Sequence, residues 1–156
     1  MSTEKEEIEQ IVIPEKLRKI IVAEDGTITI PVAACKSPKN GEKLKFMQTI
    51  DADAIQVHYS LGGGQPELLK FYVNAPKAGK YELTMHVCTV TVERSMLLRL
   101  NRRTMLDIAI PYTKGYWKDT EPLAIDLKEG RNTLLFTIKT PNKGISIKYL
   151  KLKPLN

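Results

Sequence analysis

Cysteine is scarce in this chain: Cys35 and Cys88 are the only two. A disulfide-stapled scaffold is therefore excluded, and at most one pairing exists. Cys88 sits inside a strand-like pattern where a small buried thiol is the commoner outcome, so whether the two pair stays open. No CxxC pair or histidine cluster accompanies them, which argues against a metal site. Histidine is equally rare, with His58 and His86 both in alternating segments rather than in a catalytic motif. GxSxG, HExxH, Walker and Rossmann glycine patterns are all absent, so autonomous catalysis is not expected and no cofactor is implied. Asp107, Asp119, Glu121 and Asp126 crowd together in sequence, as a carboxylate pair for glycoside hydrolysis would require. Asp107 and Asp126, however, are expected to face solvent on alternating strands. No run of eighteen apolar residues occurs, so no helical membrane span is expected. The opening MSTEKEEIEQIVIPEK is acidic and polar and lacks the order of a signal peptide.

What is present fits one globular domain. A chain of 156 residues with 42% hydrophobic content can bury a core without metal or disulfide support. Its +6 charge is uneven: residues 1–25 hold seven acids and four bases, a balance of −3 that leaves +9 on the remainder. A basic body attracts acidic polymers, whether sulfated or uronic glycans or nucleic acid. The plainer account is a solvated, lysine-rich surface.

Turn residues and period-two alternation divide the chain into short strands. Residues 1–25 read as a charged tail or linker that adds at most a strand, and the domain proper as 26–156. IVIPEKLRKIIVAEDG suggests a short strand and a second segment that ends at Asp25-Gly26. TITIPVAAC alternates until Pro31, which predicts a strand with an edge or bulge position. SPKNG is a turn by composition, and EKLKFMQTI pairs with AIQVHYSL around Asp51-Ala52-Asp53. Gly62-Gly63-Gly64 is a flexible loop and PELLKFYVNAP the next strand. In KYELTMHVCTVTV, Tyr81, Leu83, Met85, Val87 and Thr89 occupy one face and Glu82, Thr84, His86 and Cys88 the other. SMLLRLN, TMLDIAI, PLAIDL, NTLLFTI and ISIKYLKL complete about eleven strands without a long helix, which predicts an all-β antiparallel β-sandwich.

Between Ala75 and Leu152, the segments AGKYELTMHV, LLRLNRR, LKEGRNTLLFTI and GISIKYLKL follow one another at spacings that resemble the carbohydrate-binding modules of families 6 and 35. The resemblance implies a jelly-roll sandwich of the galactose-binding-domain type. It also implies a non-catalytic module that holds an attached enzyme or a surface near a polysaccharide or oligosaccharide. Such modules travel in longer exported proteins, so an extracellular or periplasmic setting is expected, with a covalently attached catalytic domain as partner and no membrane.

The resemblance also nominates residues. PYTKGYWKDTEP looks like the family loop that ends in an exposed tryptophan and supplies Tyr112, Tyr116 and Trp117, whose rings suit the axial C–H face of a pyranose. TPNKG resembles the last loop, in which Asn142 stands where an Asn reaches the ligand. Each has a structural alternative: the aromatics can cap the core, and Asn142 can serve its own turn. The usual second aromatic wall is replaced by Leu68. The family's structural calcium uses acids on the first strand and an Asp near the last. Here IPVAAC has no carboxylate and Lys148 replaces that Asp, so no calcium is expected at this place. Independently, Arg99, Arg102 and Arg103 cluster in LLRLNRRTML, and a hairpin carrying Arg102 and Arg103 is a candidate for bidentate contacts to an acidic glycan, or else bears two solvated charges. The competing functional reading is a structural or interaction sandwich that has lost its sugar cleft. A nucleic-acid binder ranks last, because recognition motifs and interleaved aromatics are missing.

Overall fold

The computed structural model describes residues 15–36, 45–48, 55–58, 68–89, 94–138 and 145–155. Among them are twelve strands: β1 (Ile21–Val22), β2 (Ile28–Pro31), β3 (Lys45–Gln48), β4 (Ile55–His58), β5 (Leu68–Ala75), β6 (Gly79–Thr89), β7 (Arg94–Leu100), β8 (Thr104–Ile110), β9 (Lys118–Asp119), β10 (Leu123–Leu127), β11 (Gly130–Ile138) and β12 (Ile145–Pro154). Short 3-10 turns cover Glu15–Arg18 and Val32–Ala34. The first of these falls just before the segment expected to end at Asp25-Gly26. The SPKNG turn, the Asp51-Ala52-Asp53 connection, the glycine loop and Asn142 lie outside the described residues.

All pairings are antiparallel, and they make two sheets. The smaller runs β5-β11-β7-β8. The larger is built on β6 and β12, which pair from Ile145↔Thr89 to Pro154↔Tyr81. The far edge of β12 is shared by β2 and β4, and the far edge of β6 by β10 and β9. β1 and β3 extend the sheet by pairing with β2 and β4. This is the antiparallel sandwich that the alternation predicts.

Burial follows the period of two. On β6, Tyr81, Leu83, Met85, Val87 and Thr89 are buried, while the residues between them are half-exposed. Opposite them the smaller sheet contributes Leu69, Phe71, Val73, Met96, Leu98, Leu134 and Phe136. Phe71 and Phe136 meet edge to face, with centroids 5.9 Å apart and planes at 80°, a geometry favoured by the ring quadrupoles. Pro31 closes β2, since a residue without an N–H cannot carry the ladder further. Gly26 joins β1 to β2 at φ +90, and a Cβ there would lie 2.9 Å from Pro154 Cγ, so only glycine fits this crossing.

One buried amide ties two chain reversals together. Asn132 is wholly buried, and its Oδ1 accepts from the Lys128 N–H (3.0 Å) and from Asn101 Nδ2 (2.9 Å). Its Nδ2 donates to the Lys128 carbonyl (2.9 Å) and the Gly130 carbonyl (3.0 Å). Asn101 Oδ1 in turn accepts from the Thr133 N–H at 2.8 Å. All of the hydrogen-bonding capacity of the Asn132 amide is used, and the β7–β8 and β10–β11 turns are held against each other. Asn132→Ala is expected to cost about 1–3 kcal/mol in chemical denaturation, because several part-buried polar groups lose their partner at once.

Both cysteines are thiols, with no disulfide between them. Burial pushes the Cys35 thiol up to about 12, so it stays protonated at mildly alkaline pH. Mass spectrometry after iodoacetamide treatment is expected to find Cys35 alkylated only in the unfolded protein, since the thiolate is the reacting form.

Candidate functional site

The connection from β8 to β9, residues 111–117, is held in shape by threonine hydroxyls. Thr89 and Thr113 are both buried and bond reciprocally. The Thr89 N–H donates to Thr113 Oγ1 (2.8 Å), and the Thr113 N–H donates to Thr89 Oγ1 (2.9 Å). Thr113 Oγ1 donates to the Thr89 carbonyl (3.0 Å), and Thr89 Oγ1 donates to the Pro111 carbonyl (2.8 Å). Further on, the Gly115 N–H reaches the Thr89 carbonyl at 2.8 Å and the Tyr116 N–H the Thr113 carbonyl at 3.1 Å. Lys114 and Gly115 take positive φ of 57 and 84 to make this return. Thr120 repeats the device: its Oγ1 accepts from the Met85 N–H at 3.0 Å, and its own N–H donates to the Met85 carbonyl at 2.9 Å. The loop therefore has a fixed backbone, as a preorganised binding surface requires.

Its three aromatic residues do different things. Tyr112 and Tyr116 project outward, 46% and 69% exposed. Trp117 is half-buried and turns back onto the sheet, where it stacks on His86 with centroids 5.6 Å apart and planes within 12°. His86 stacks equally flat on Tyr149, at 4.7 Å and 9°. The ring row runs from the loop just before β9 across β6 to β12. His86 Nδ1 lies 2.8 Å from Asp119 Oδ1, and since an ionised carboxylate only accepts, Nδ1 carries the hydrogen. Lys148 Nζ stands 4.6 Å from the Trp117 ring centroid, a cation–π contact. Lys148 thus links the last strand to the aromatic loop. Burial, with the Asp119 charge adding to it, raises the Tyr149 phenol, which stays protonated.

A β-bulge makes this row. The β6–β12 register slips between Ile147 and Tyr149, so Lys148 and Tyr149 are both half-exposed and a side chain is re-aimed toward the loop. The sequence carries the signal: Ile145 and Ile147 alternate, and the buried positions resume at Leu150 and Leu152, three rather than two residues on. The roles of Tyr149, Thr113 and Thr89 are not legible in sequence because they depend on partners 22 or more positions away in the chain.

The nominated residues do not form one site. Thr113 sits beside Thr89, at the end of β6. Arg102 and Arg103 lie on the β7–β8 hairpin beside the β10–β11 turn, at the opposite end of the sandwich. Both are exposed, and Asn101 and Arg102 take φ of 50 and 65. A left-handed arginine costs of order 1–2 kcal/mol relative to the glycine that usually follows Asn in such turns. Asp107 is on the smaller sheet while Asp119 and Asp126 are on the larger, so these carboxylates are divided between sheets. Among the described residues, no three His, Cys, Asp or Glu side chains are grouped as metal ligands would be. Thr113→Val, which keeps shape but removes the hydroxyl, is expected to lower stability by about 1–3 kcal/mol in denaturant titrations, with Thr113→Ser largely retaining it.

No family model matches this sequence, and no curated protein matches it. Solved structures do. The chain is similar to a family 35 carbohydrate-binding module from Clostridium thermocellum, at 19% identity and a TM-score of 0.63, with 88% of this chain and 98% of that chain covered. It is similar to the carbohydrate-binding module of Cellvibrio mixtus lichenase 5A in complex with cellotriose, at 17% identity and a TM-score of 0.65, covering 87% and 99%. An exo-beta-1,3-galactanase from Phanerochaete chrysosporium matches at 12% identity and a TM-score of 0.65, over 81% of this chain but 29% of that one. At these identities the likeness is one of fold, and the chain has the β-sandwich fold of the family 35 and family 6 carbohydrate-binding modules.

Proposed function

We propose that this chain is a non-catalytic glycan-binding module whose sugar contacts come from Tyr116 and Tyr112. The observation that carries this is the strapped loop: two tyrosines stand exposed on a backbone that buried threonines hold fixed. Exposed rings on a fixed backbone lose little entropy when a sugar face stacks on them, and their hydroxyls remain available for hydrogen bonds. Trp117 acts differently in this account. Its ring is stacked on His86 and lies under Lys148, so it positions the loop rather than offering a free platform. Asn142 is proposed as a hydrogen-bonding partner from its place in the TPNKG segment.

Binding without chemistry gains effective concentration. A module that holds a polysaccharide beside an attached catalytic domain raises the local substrate level without any new contact to the reacting bond. Similarity to modules borne by a lichenase and to part of a galactanase supports a covalently attached enzyme as the partner. The same comparisons support a polysaccharide or oligosaccharide as the ligand.

A glycan-array screen followed by calorimetry tests this. The wild-type chain is expected to bind at least one neutral glycan saturably. Tyr116→Ala is expected to weaken that binding about tenfold or more, roughly 1.4 kcal/mol per decade, with the melting temperature unchanged. Trp117→Ala is expected to weaken binding and to lower the melting temperature together, because it removes a packed ring. Absence of binding to every glycan would instead support a structural sandwich domain.

A further inference from the structure

We infer that the end of the sandwich opposite the aromatic loop is a second binding site, one for the carboxylate or sulfate groups of an acidic sugar polymer. An open concavity of about 600 Å3 lies there, lined by Asn101, Arg102 and Arg103 from the β7–β8 hairpin, by Asp126 from the end of β10 and by Lys128 from the turn after it. Its volume falls in the range of small-ligand sites, ~300–1,000 Å3. Among the described residues three cations line it against one carboxylate, and that carboxylate is engaged: Asp126 Oδ1 lies 3.2 Å from Lys80 Nζ.

Two further observations separate this place from an ordinary charged turn. The buried Asn132 amide binds the Lys128 N–H and carbonyl and also the Asn101 side chain. The two cationic turns are thus set against each other by one satisfied hydrogen-bond network, which fixes the backbone from which the charged side chains extend. In addition, Arg102 occupies a left-handed position, φ 65, where glycine relieves the strain and an arginine has no conformational reason to be. A strained arginine beside a second arginine provides planar forks that match carboxylate and sulfate oxygens bidentately.

The ligand is argued from what the lining lacks as well. Among the described residues no aromatic ring borders the concavity, so these residues offer the bases of a single-stranded nucleic acid nothing to stack on. A sugar bearing uronate or sulfate needs only the forks, the ammonium and the amide side chain. The choice of a sugar polymer rests on the glycan-binding function proposed above, whereas the anion site itself is independent of the aromatic loop.

Calorimetry with a heparin hexasaccharide, an oligogalacturonate and a short DNA duplex, each at low and high salt, tests the proposal. Wild-type protein is expected to bind one or both acidic oligosaccharides, with affinity falling as salt rises. A preference for heparin identifies sulfate as the recognised group, and a preference for oligogalacturonate identifies carboxylate. The double variant Arg102→Gly with Arg103→Ser keeps a favourable Asn-Gly turn and is expected to lose about tenfold or more in affinity while melting no lower than wild type. Lys128→Ala provides a second, separate loss should that double variant misfold. Tyr116→Ala is expected to leave acidic-sugar binding intact, which keeps the two sites' failures distinguishable. The proposal is overturned if neither acidic oligosaccharide binds at low salt, or if the folded double variant binds as wild type does. It is also overturned if the DNA duplex binds more tightly than both sugars, or if Tyr116→Ala weakens acidic binding as much as the arginine variant.

Discussion

β6 and β12 lie 55 or more residues apart in the chain, yet their pairing from Ile145↔Thr89 to Pro154↔Tyr81 organises every other part of the larger sheet. Each strand has one edge taken by the other and one edge left over. β2 and β4 divide the free edge of β12, and β10 and β9 divide that of β6. The pairing also sets which residues face outward, because a slip of one position would exchange the faces of both strands. The apolar sets of both strands prevent the slip: Leu83, Met85 and Val87 on one, Ile147, Leu150 and Leu152 on the other, all buried. The single bulge at Lys148 fits two apolar phases to one straight partner, and it leaves Lys148 and Tyr149 on the outer side, where the ring row forms.

The two ends of the sandwich are stabilised by the same kind of chemistry. At one, the Thr113 hydroxyl accepts from and donates to the backbone of Thr89, and the Thr120 hydroxyl accepts from the Met85 N–H. At the other, the Asn132 amide imitates a peptide group toward Lys128, Gly130 and Asn101. Short polar side chains are suited to this because they reach the backbone with little rotamer entropy to lose. The consequence for function is that side chains exposed at both ends, Tyr112 and Tyr116 at one and Arg102 and Arg103 at the other, rest on backbone that is already ordered. Binding at either end has little loop entropy left to lose.

The His86 row shows how a position of no obvious promise acquires a role. In sequence His86 is an outward-facing residue of a regular strand. In the fold it lies between Trp117 and Tyr149 and bonds Asp119, so it couples the loop to the sheet. Lys148, over the Trp117 ring, extends the coupling to the last strand. A tryptophan that resembles a ligand platform in sequence is here engaged by two neighbours, which is why the exposed tyrosines carry the proposed contact.

Fold class and most strand positions were legible in the order of the residues. Alternation is a local property, and Tyr81 to Thr89 or Leu134 to Phe136 declare their buried face without reference to any partner. Residue order also marked the Asn101–Arg103 hairpin and the aromatic loop as places of interest, because turn chemistry and ring content are local too. The 3-10 turn at Glu15–Arg18 and the two-residue β9 were not legible, since neither is long enough to establish a period. Tertiary structure alone decided that the aromatic loop and the arginine hairpin are at opposite ends. It alone decided that Trp117 stacks on His86 and that Asn132 and Thr113 hold the two ends in place. These are contacts between residues 24 to 63 positions apart in the chain or between turns joined through a third segment, and no window of sequence contains both members of such a pair.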